Sequence, residues 1–460
     1  VVPNIKSADM CCRFCSLEPN CGCWDYNLKS NDCWVKTDCR TNSSTTEHRV
    51  SGKKRNDWIP TLAQMSFDDS AWDLVNTPHD MLIVQNFDKG ASKDQGFLPR
   101  NVGWYRKSFY IPDEWGEQSV FWWRCEGSFH ETFVYFNNQF IGVHKAGYTS
   151  FSVRLDNTSN VRYGSSGQPN VLALYVNAST GTGWWYEGGG LMRHNYIIRT
   201  NPVHIVENSA WVHSVPELST GKSTFHVAAE ICAGGNRQDE EYWNFVAEII
   251  DDRGLQVGSG HQLVSSSALD VQLAITVEHV KLWSVQSPSL YVVKMTIFSS
   301  QQNNQVLDSV NVTTGIRSVE FNSNVGLLIN EKEVKLRGFC DHSSFGVVGG
   351  AVPDRINLYR AQMLRSVGGN AWRMAHNPPI PARLEFMDAL GMLAIDENRD
   401  YGGRVGQGGV TPETVSNELN DMAELVRRDR SHPSVIVWSF CNEVGCKNDS
   451  SARPWRELTK

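Results

Sequence analysis

From Asp57 to about Ile205, apolar and polar positions alternate in short runs broken by Gly, Asn, Asp and Pro. Trp104-Tyr105-Arg106-Lys107-Ser108-Phe109-Tyr110, Thr132-Phe133-Val134-Tyr135-Phe136 and Val171-Leu172-Ala173-Leu174-Tyr175-Val176 all have period two. That period sends successive side chains to opposite faces and predicts a β-sandwich over 57–205. Asn137-Asn138 sits between two such runs and predicts a tight hairpin, because Asn tolerates positive φ. A second all-β stretch covers 206–314 and includes the runs 225–231 and 291–298; its length suits an immunoglobulin-like sandwich.

The period changes at Gly315. Residues 334–339 read as a strand, 354–367 as a helix with apolar positions at Ile356, Leu358, Met363, Leu364 and Val367, and 371–374 as a strand. A helix over 380–390, a strand over 392–395 and a long helix over 411–430 follow, the last with Thr411 as N-cap and Pro412 in its first turn. Residues 435–440 form a continuous apolar run, as expected of a parallel strand buried on both faces. Four βα units in succession predict a barrel or a doubly wound sheet over 315–460.

Each of the four strands is followed by polar residues: Asp341 and His342, then Arg373 with His376 and Asn377, then Asp396 and Glu397, then Asn442 and Glu443. In a (β/α)8 barrel those ends converge on one mouth, where catalytic residues lie. Glu443 follows a fully apolar strand, at the edge of a poorly solvated pocket that suits a general acid; a salt bridge toward Arg373 is the competing role. Asn442 is placed to orient a substrate hydroxyl. Arg373 either serves the substrate or holds acidic side chains in place. His376 bonds a sugar hydroxyl or a backbone carbonyl, and Asp396 and Glu397 position substrate, bind a cation or pair with Arg373.

Composition adds a front module and narrows the function classes. The 460 residues carry 12 Cys, seven of them within the first 39 positions. That density, with little apolar content, predicts a small module over 1–50 stapled by disulfides in an oxidising compartment, extracellular or along the secretory pathway, the lysosome or vacuole included. Zinc is disfavoured, because no second well-spaced Cys pair and no nearby His accompany Cys12-x-x-Cys15. Sequons at Asn42, Asn157, Asn177, Asn311 and Asn448 fit secretion. A net charge of −7 argues against a nucleic-acid partner, and no apolar run approaches the ~18 residues of a membrane span. The 16 Trp supply platforms for sugar rings or large core residues.

Asp429-Arg430-Ser431-His432-Pro433-Ser434 leading into Trp438-Ser439-Phe440-Cys441-Asn442-Glu443 resembles the acid/base signature of glycoside hydrolase family 2, the β-galactosidase, β-mannosidase and β-glucuronidase group. Val75-Asn76-Thr77-Pro78-His79-Asp80, Gly103-Trp104-Tyr105-Arg106, Glu126-Gly127 and Gly147-Tyr148-Thr149-Ser150-Phe151 are similar to that family's jelly-roll domain. Leu282-Trp283-Ser284 resembles the end of its immunoglobulin-like domain, and Lys335-Leu336-Arg337-Gly338-Phe339 with Arg373 and His376-Asn377-Pro378-Pro379 resembles its first two barrel strands. The front cysteines, with Cys33-Trp34-Val35-Lys36, resemble a PAN/apple module over roughly 1–40.

The resemblance implies a multidomain β plus α/β chain: a disulfide-rich module (1–50), a jelly-roll β-sandwich (57–205), an immunoglobulin-like β-sandwich (206–314) and the N-terminal half of a TIM barrel (315–460). It implies a retaining exo-β-glycosidase with Glu443 as acid/base. Residues 317–460 supply only part of the ~250 residues of a whole barrel, so the nucleophilic glutamate is expected beyond Lys460 and the chain alone is expected to be inactive. The resemblance also places Tyr186-Glu187-Gly188-Gly189-Gly190-Leu191 at the sugar site, with Glu187 as a substrate-binding residue and Trp184 and Trp185 either stacking on a sugar or packing on the barrel. His342 joins the substrate-binding set, and Phe339-Cys340-Asp341-His342 with Ile395-Asp396-Glu397-Asn398-Arg399 looks most like the β-galactosidase branch; mannosides and glucuronides remain alternatives. The Glu-x-His of some β-galactosidases has no match after the third strand, so no metal and no cofactor is expected. The expected partners are a carbohydrate substrate and a protein or glycan ligand of the PAN-like module. The competing class is a non-catalytic protein that binds glycans or proteins.

Overall fold

The computed structural model describes residues 59–460 apart from 117–118, 159, 182, 184, 235–241, 301–303, 400–411, 441, 443–448 and 460. Of the first 58 residues it describes three strands, Cys23–Asn27, Asp32–Lys36 and Arg49–Lys53, which pair antiparallel with the first strand in the middle. The expected disulfide framework falls on cysteines whose side chains lie outside the described residues, as do Trp184, Thr411 and Glu443.

The alternating runs form two packed layers. Val102–Phe109, Asn170–Asn177, Glu131–Phe136 and Gln139–His144 make one antiparallel sheet, and Asn195–Thr200, Val120–Cys125 and Phe151–Arg154 make another. Phe121, Trp123, Val134, Phe136, Leu172 and Leu174 point inward between them and are buried. Asn137 and Asn138 adopt φ of 47° and 65°, and Phe136 pairs with Gln139 across them. This is the two-residue turn whose left-handed centre matches the strand twist. The next region is a second sandwich with a four-stranded antiparallel sheet on each side, its core filled by Phe225, Trp243, Phe245, Met295 and their neighbours. Along Tyr242–Ile250 the inward positions are buried at every second residue, as the period requires.

A small antiparallel sheet, Val319–Asn322, Gly326–Ile329 and Lys332–Glu333, precedes the parallel layer. The first parallel strand, β1, is therefore Gly338–Asp341, later than the apolar reading of 334–339 places it. Gly338 is needed there: a Cβ would lie 1.9 Å from the Ala371 carbonyl oxygen of the next strand. The remaining elements are α1 (Asp354–Ser366), β2 (Ala371–Met374), α2 (Pro381–Leu390), β3 (Leu393–Glu397), α3 (Pro412–Asp429), β4 (Val435–Ser439) and α4 (Asp449–Leu458). The four strands pair in order and in parallel. Trp372, Met374, Leu384, Met387, Met392 and Ala394 fill the space between sheet and helices.

The segment 429–434 docks this layer onto the second sandwich. Arg430 Nη2 donates to Ser209 O at 2.9 Å and its guanidinium lies 5.0 Å from the Trp211 ring centroid. Ser431 Oγ accepts from Val212 N, and Ser431 O accepts from Thr314 Oγ1. His432 Nδ1 sits 2.5 Å from Asp388 Oδ2, and Trp283, wholly buried, donates from Nε1 to Asp388 O at 2.8 Å. Burial works against a charge on His432, yet the Asp388 carboxylate outweighs it and raises the imidazole above its ordinary value. A raised histidine contributes stability that is full below its unfolded value near ~6.5 and fades as pH climbs through the folded one. His432→Gln is therefore expected to lower the melting temperature more at pH 5.5 than at pH 8.5. An equal loss at both pH values would show that the pair is not charged.

Candidate active site

The C-terminal ends of β1 to β4 bring most of the expected residues together. Glu397 ends β3, is fully buried, and carries the centre of the cluster. Arg373 of β2 grips it bidentately, Nε to Oε2 at 2.7 Å and Nη2 to Oε1 at 3.0 Å. His376 Nδ1 lies 2.6 Å from Oε1, a distance at which the imidazole donates to the carboxylate, and Ser439 of β4 donates its hydroxyl to Oε2 at 2.8 Å. Three strands thus share one carboxylate, and charge-assisted bonds of this kind fix geometry strongly. Of the two roles open to Arg373, the structure shows it holding an acidic side chain. It also donates from Nη2 to Asn442 Oδ1 at 2.8 Å. That bond fixes the residue immediately before Glu443 at the mouth.

A loop of the first sandwich closes one side. Trp185 stacks flat on His342, with ring centroids 4.3 Å apart and planes 5° from parallel, and the Arg399 guanidinium lies 4.8 Å from its ring centroid. Of the two roles open to Trp185, packing against the barrel is what the geometry displays. His342 shares its Nδ1 with the Ala375 carbonyl at 2.8 Å, and burial, the largest influence, lowers its pKa. Glu187 is buried between two arginines, accepting from Arg100 Nη2 at 2.7 Å and from Arg399 Nη2 at 3.2 Å. Its carboxylate is a structural tie between sandwich and barrel. Asn377 is also buried, with its Oδ1 accepting from Ser343 Oγ at 2.5 Å.

Asp396 is not brought into the cluster. It neighbours Glu397 on one strand, so its side chain leaves the opposite face of the sheet. There it meets Asp429 and Arg428 at the end of α3; burial first, then the Asp429 charge, pushes its carboxyl well above the usual range. The sequence singles out neither Arg399 nor Arg100 nor Ser439 as a site residue. Arg399 follows β3 by two residues and was visible as one more polar strand-end residue, whereas Arg100 meets Glu187 across 87 positions that no local pattern connects. Among the described residues, no group of three His, Cys, Asp or Glu side chains is gathered closely enough to hold a metal. No helix of the described residues is long and apolar enough to cross a membrane.

The mouth of parallel strands beneath two sandwiches has counterparts. A family profile described as "Glycosyl hydrolases family 2, TIM barrel domain" matches residues 320–456, and one described as "Glycosyl hydrolases family 2" matches residues 203–317. The chain carries domains of glycosyl hydrolase family 2. It is 30% identical over 395 residues to the β-galactosidase BoGH2A of Bacteroides ovatus, which covers 83% of this chain and 44% of that protein. It is 24% identical over 438 residues to a β-glucuronidase of Formosa agariphila, covering 86% of this chain and 42% of the relative. The crystal structure of a glycosyl hydrolase family 2 member from Bacteroides cellulosilyticus superposes with a TM-score of 0.76 at 29% identity, covering 88% of this chain and 53% of that one. The chain spans less than half the length of these two curated relatives. The 429–434 segment seats the parallel layer on the second sandwich, and the mouth cluster lies at the strand ends that a TIM barrel reserves for chemistry.

Proposed function

We propose that the protein to which this chain belongs is a retaining β-glycosidase that removes a terminal sugar, with Glu443 as acid/base and the nucleophilic glutamate on a strand outside β1 to β4. The observation that carries this reading is the bond from Arg373 to Asn442. It ties the residue before Glu443 to the Glu397 cluster, which supports the acid/base role for the next residue in the chain. In the proposed cycle Glu443 protonates the leaving oxygen while the nucleophile attacks the anomeric carbon, and then takes a proton from water as the water displaces the enzyme. Asn442 and His376 line the approach and hold the sugar's hydroxyls, with Arg373 and Glu397 keeping them in register.

The sugar is proposed to be a β-galactoside or a β-glucuronide. The resemblance of residues 339–342 favours the first, while a β-glucuronidase and a β-galactosidase both stand among the relatives, so neither is preferred by kinship. The Cys-rich front is proposed as an accessory PAN-like, disulfide-stapled module of a secreted protein that binds protein or glycan. The test is to offer the full-length protein aryl β-galactosides, β-glucuronides and β-mannosides. Turnover of one of the first two is expected. Turnover of none would overturn the reading.

A further inference from the structure

Two buried ionic side chains of the first sandwich reach across to the barrel through main-chain groups. Arg193 is 4% exposed; its Nη2 donates to Pro378 O at 2.6 Å and its Nη1 to Pro379 O at 3.0 Å and to Tyr148 O at 2.6 Å. Pro378 and Pro379 follow His376-Asn377 directly, so the guanidinium grips the loop that delivers His376 to Glu397. Two consecutive prolines bring carbonyls without N–H groups, and an arginine's fork offers up to five donors in a fixed plane to meet them. The sandwich leaves a slot for that fork: a Cβ at Gly127 would lie 2.6 Å from Arg193 Cδ.

Asp80, 3% exposed, does the converse. Its Oδ2 accepts from Gly350 N at 2.7 Å in the loop between β1 and α1, and from Tyr186 Oη at 2.9 Å. Its Oδ1 accepts from Leu82 N at 2.9 Å and Gly189 N at 3.2 Å. One carboxylate thus joins the loop carrying Trp185 and Glu187 to the loop that follows His342. Burying charge is costly, and an apolar interface of the same volume is commonly as stable. Burial, the largest influence, together with the neighbouring Arg428 charge pushes the Arg193 guanidinium down to about 9. What the charges supply, and apolar side chains do not, is directional hold on particular backbone atoms.

We propose that Arg193 and Asp80 are positioning residues for the reaction: an opposite-charge clamp by which the first sandwich sets the His376 loop and the Trp185 loop at the barrel mouth. The proposal rests on the glycosidase reading above. Its test uses the full-length protein with an aryl glycoside that it turns over. Arg193→Gln, assayed well below its melting temperature, is expected to lower kcat about 30-fold, because small misplacements of a catalytic constellation cost up to about 100-fold. Arg193→Lys should recover part of the loss. In a His376→Ala background the further loss from Arg193→Gln should shrink below about threefold, since both changes act on one loop. A role confined to stability would instead leave kcat within about threefold of wild type, or give the same loss in both backgrounds, and either result overturns the clamp. Should Arg193→Gln not fold, Arg193→Lys and the isosteric Asp80→Asn carry the test, each expected to cost about tenfold in kcat. Values matching wild type would overturn it. Absence of turnover by the unsubstituted protein would overturn the reading beneath, a result distinct from an active wild type whose variants match it.

Discussion

Glu443→Gln in the full-length protein is expected to lower kcat on a methyl β-glycoside by about 10²–10⁴-fold, the usual contribution of a positioned general acid. A methoxide leaving group is strongly basic and departs only as it is protonated. A dinitrophenolate needs no proton, so the same variant should lose much less in the glycosylation step on a dinitrophenyl β-glycoside. The contrast follows from the placement of β4. Ser439 pairs with Glu397 and bonds to it, and Asn442 is held by Arg373, so the strand end that precedes position 443 is tied to the cluster. Equal losses on both substrates, or none on the methyl glycoside, would remove Glu443 from the acid/base role.

Arg373→Met carries the second large effect. It leaves Glu397 wholly buried with only the imidazole and the Ser439 hydroxyl against its charge. Breaking a buried pair from one side costs about 3–5 kcal/mol, and because the Arg373 side chain is 28% exposed the lower end applies, about 3 kcal/mol. Urea denaturation of the full-length protein reads this as a lower midpoint of the transition that reports the barrel. Activity should fall about 100-fold as Asn442 loses its anchor and Glu397, which holds His376, loses its bidentate partner. Adding Glu397→Gln removes the stranded charge, so stability should return while activity does not. A stability loss under about 1 kcal/mol in the single variant would mean that the ion pair is solvated rather than buried.

How much of this was legible in the sequence differs by link. Period two located the sandwich strands, and the Asn137-Asn138 hairpin followed from two side chains that tolerate positive φ. The convergence of Arg373, His376, Glu397 and Asn442 followed from strand ends alone, because a parallel sheet leaves them little choice. The start of β1 was misplaced because Val334 and Leu336 read as strand, whereas a short hairpin sheet and the close approach at Gly338 decide it. Asp396 and Glu397 were read together as one polar strand end; alternation puts them on opposite faces, and which one turns inward depends on Arg373 and Asp429, both distant in sequence. The segment 429–434 was read as part of a family signature; what the sequence did not tell is that its residues also seat the barrel on the second sandwich. Trp185 was weighed as a sugar platform, and its contact with His342 spans two domains, beyond any local pattern.

A double-displacement glycosidase releases its sugar with the anomeric configuration retained, so the stereochemistry of the first-formed sugar reports the mechanism. Proton NMR of the full-length protein's reaction with an aryl β-glycoside, followed before mutarotation, is expected to show the β-anomer appearing first. The α-anomer first, or no hydrolysis of any β-glycoside, would contradict it.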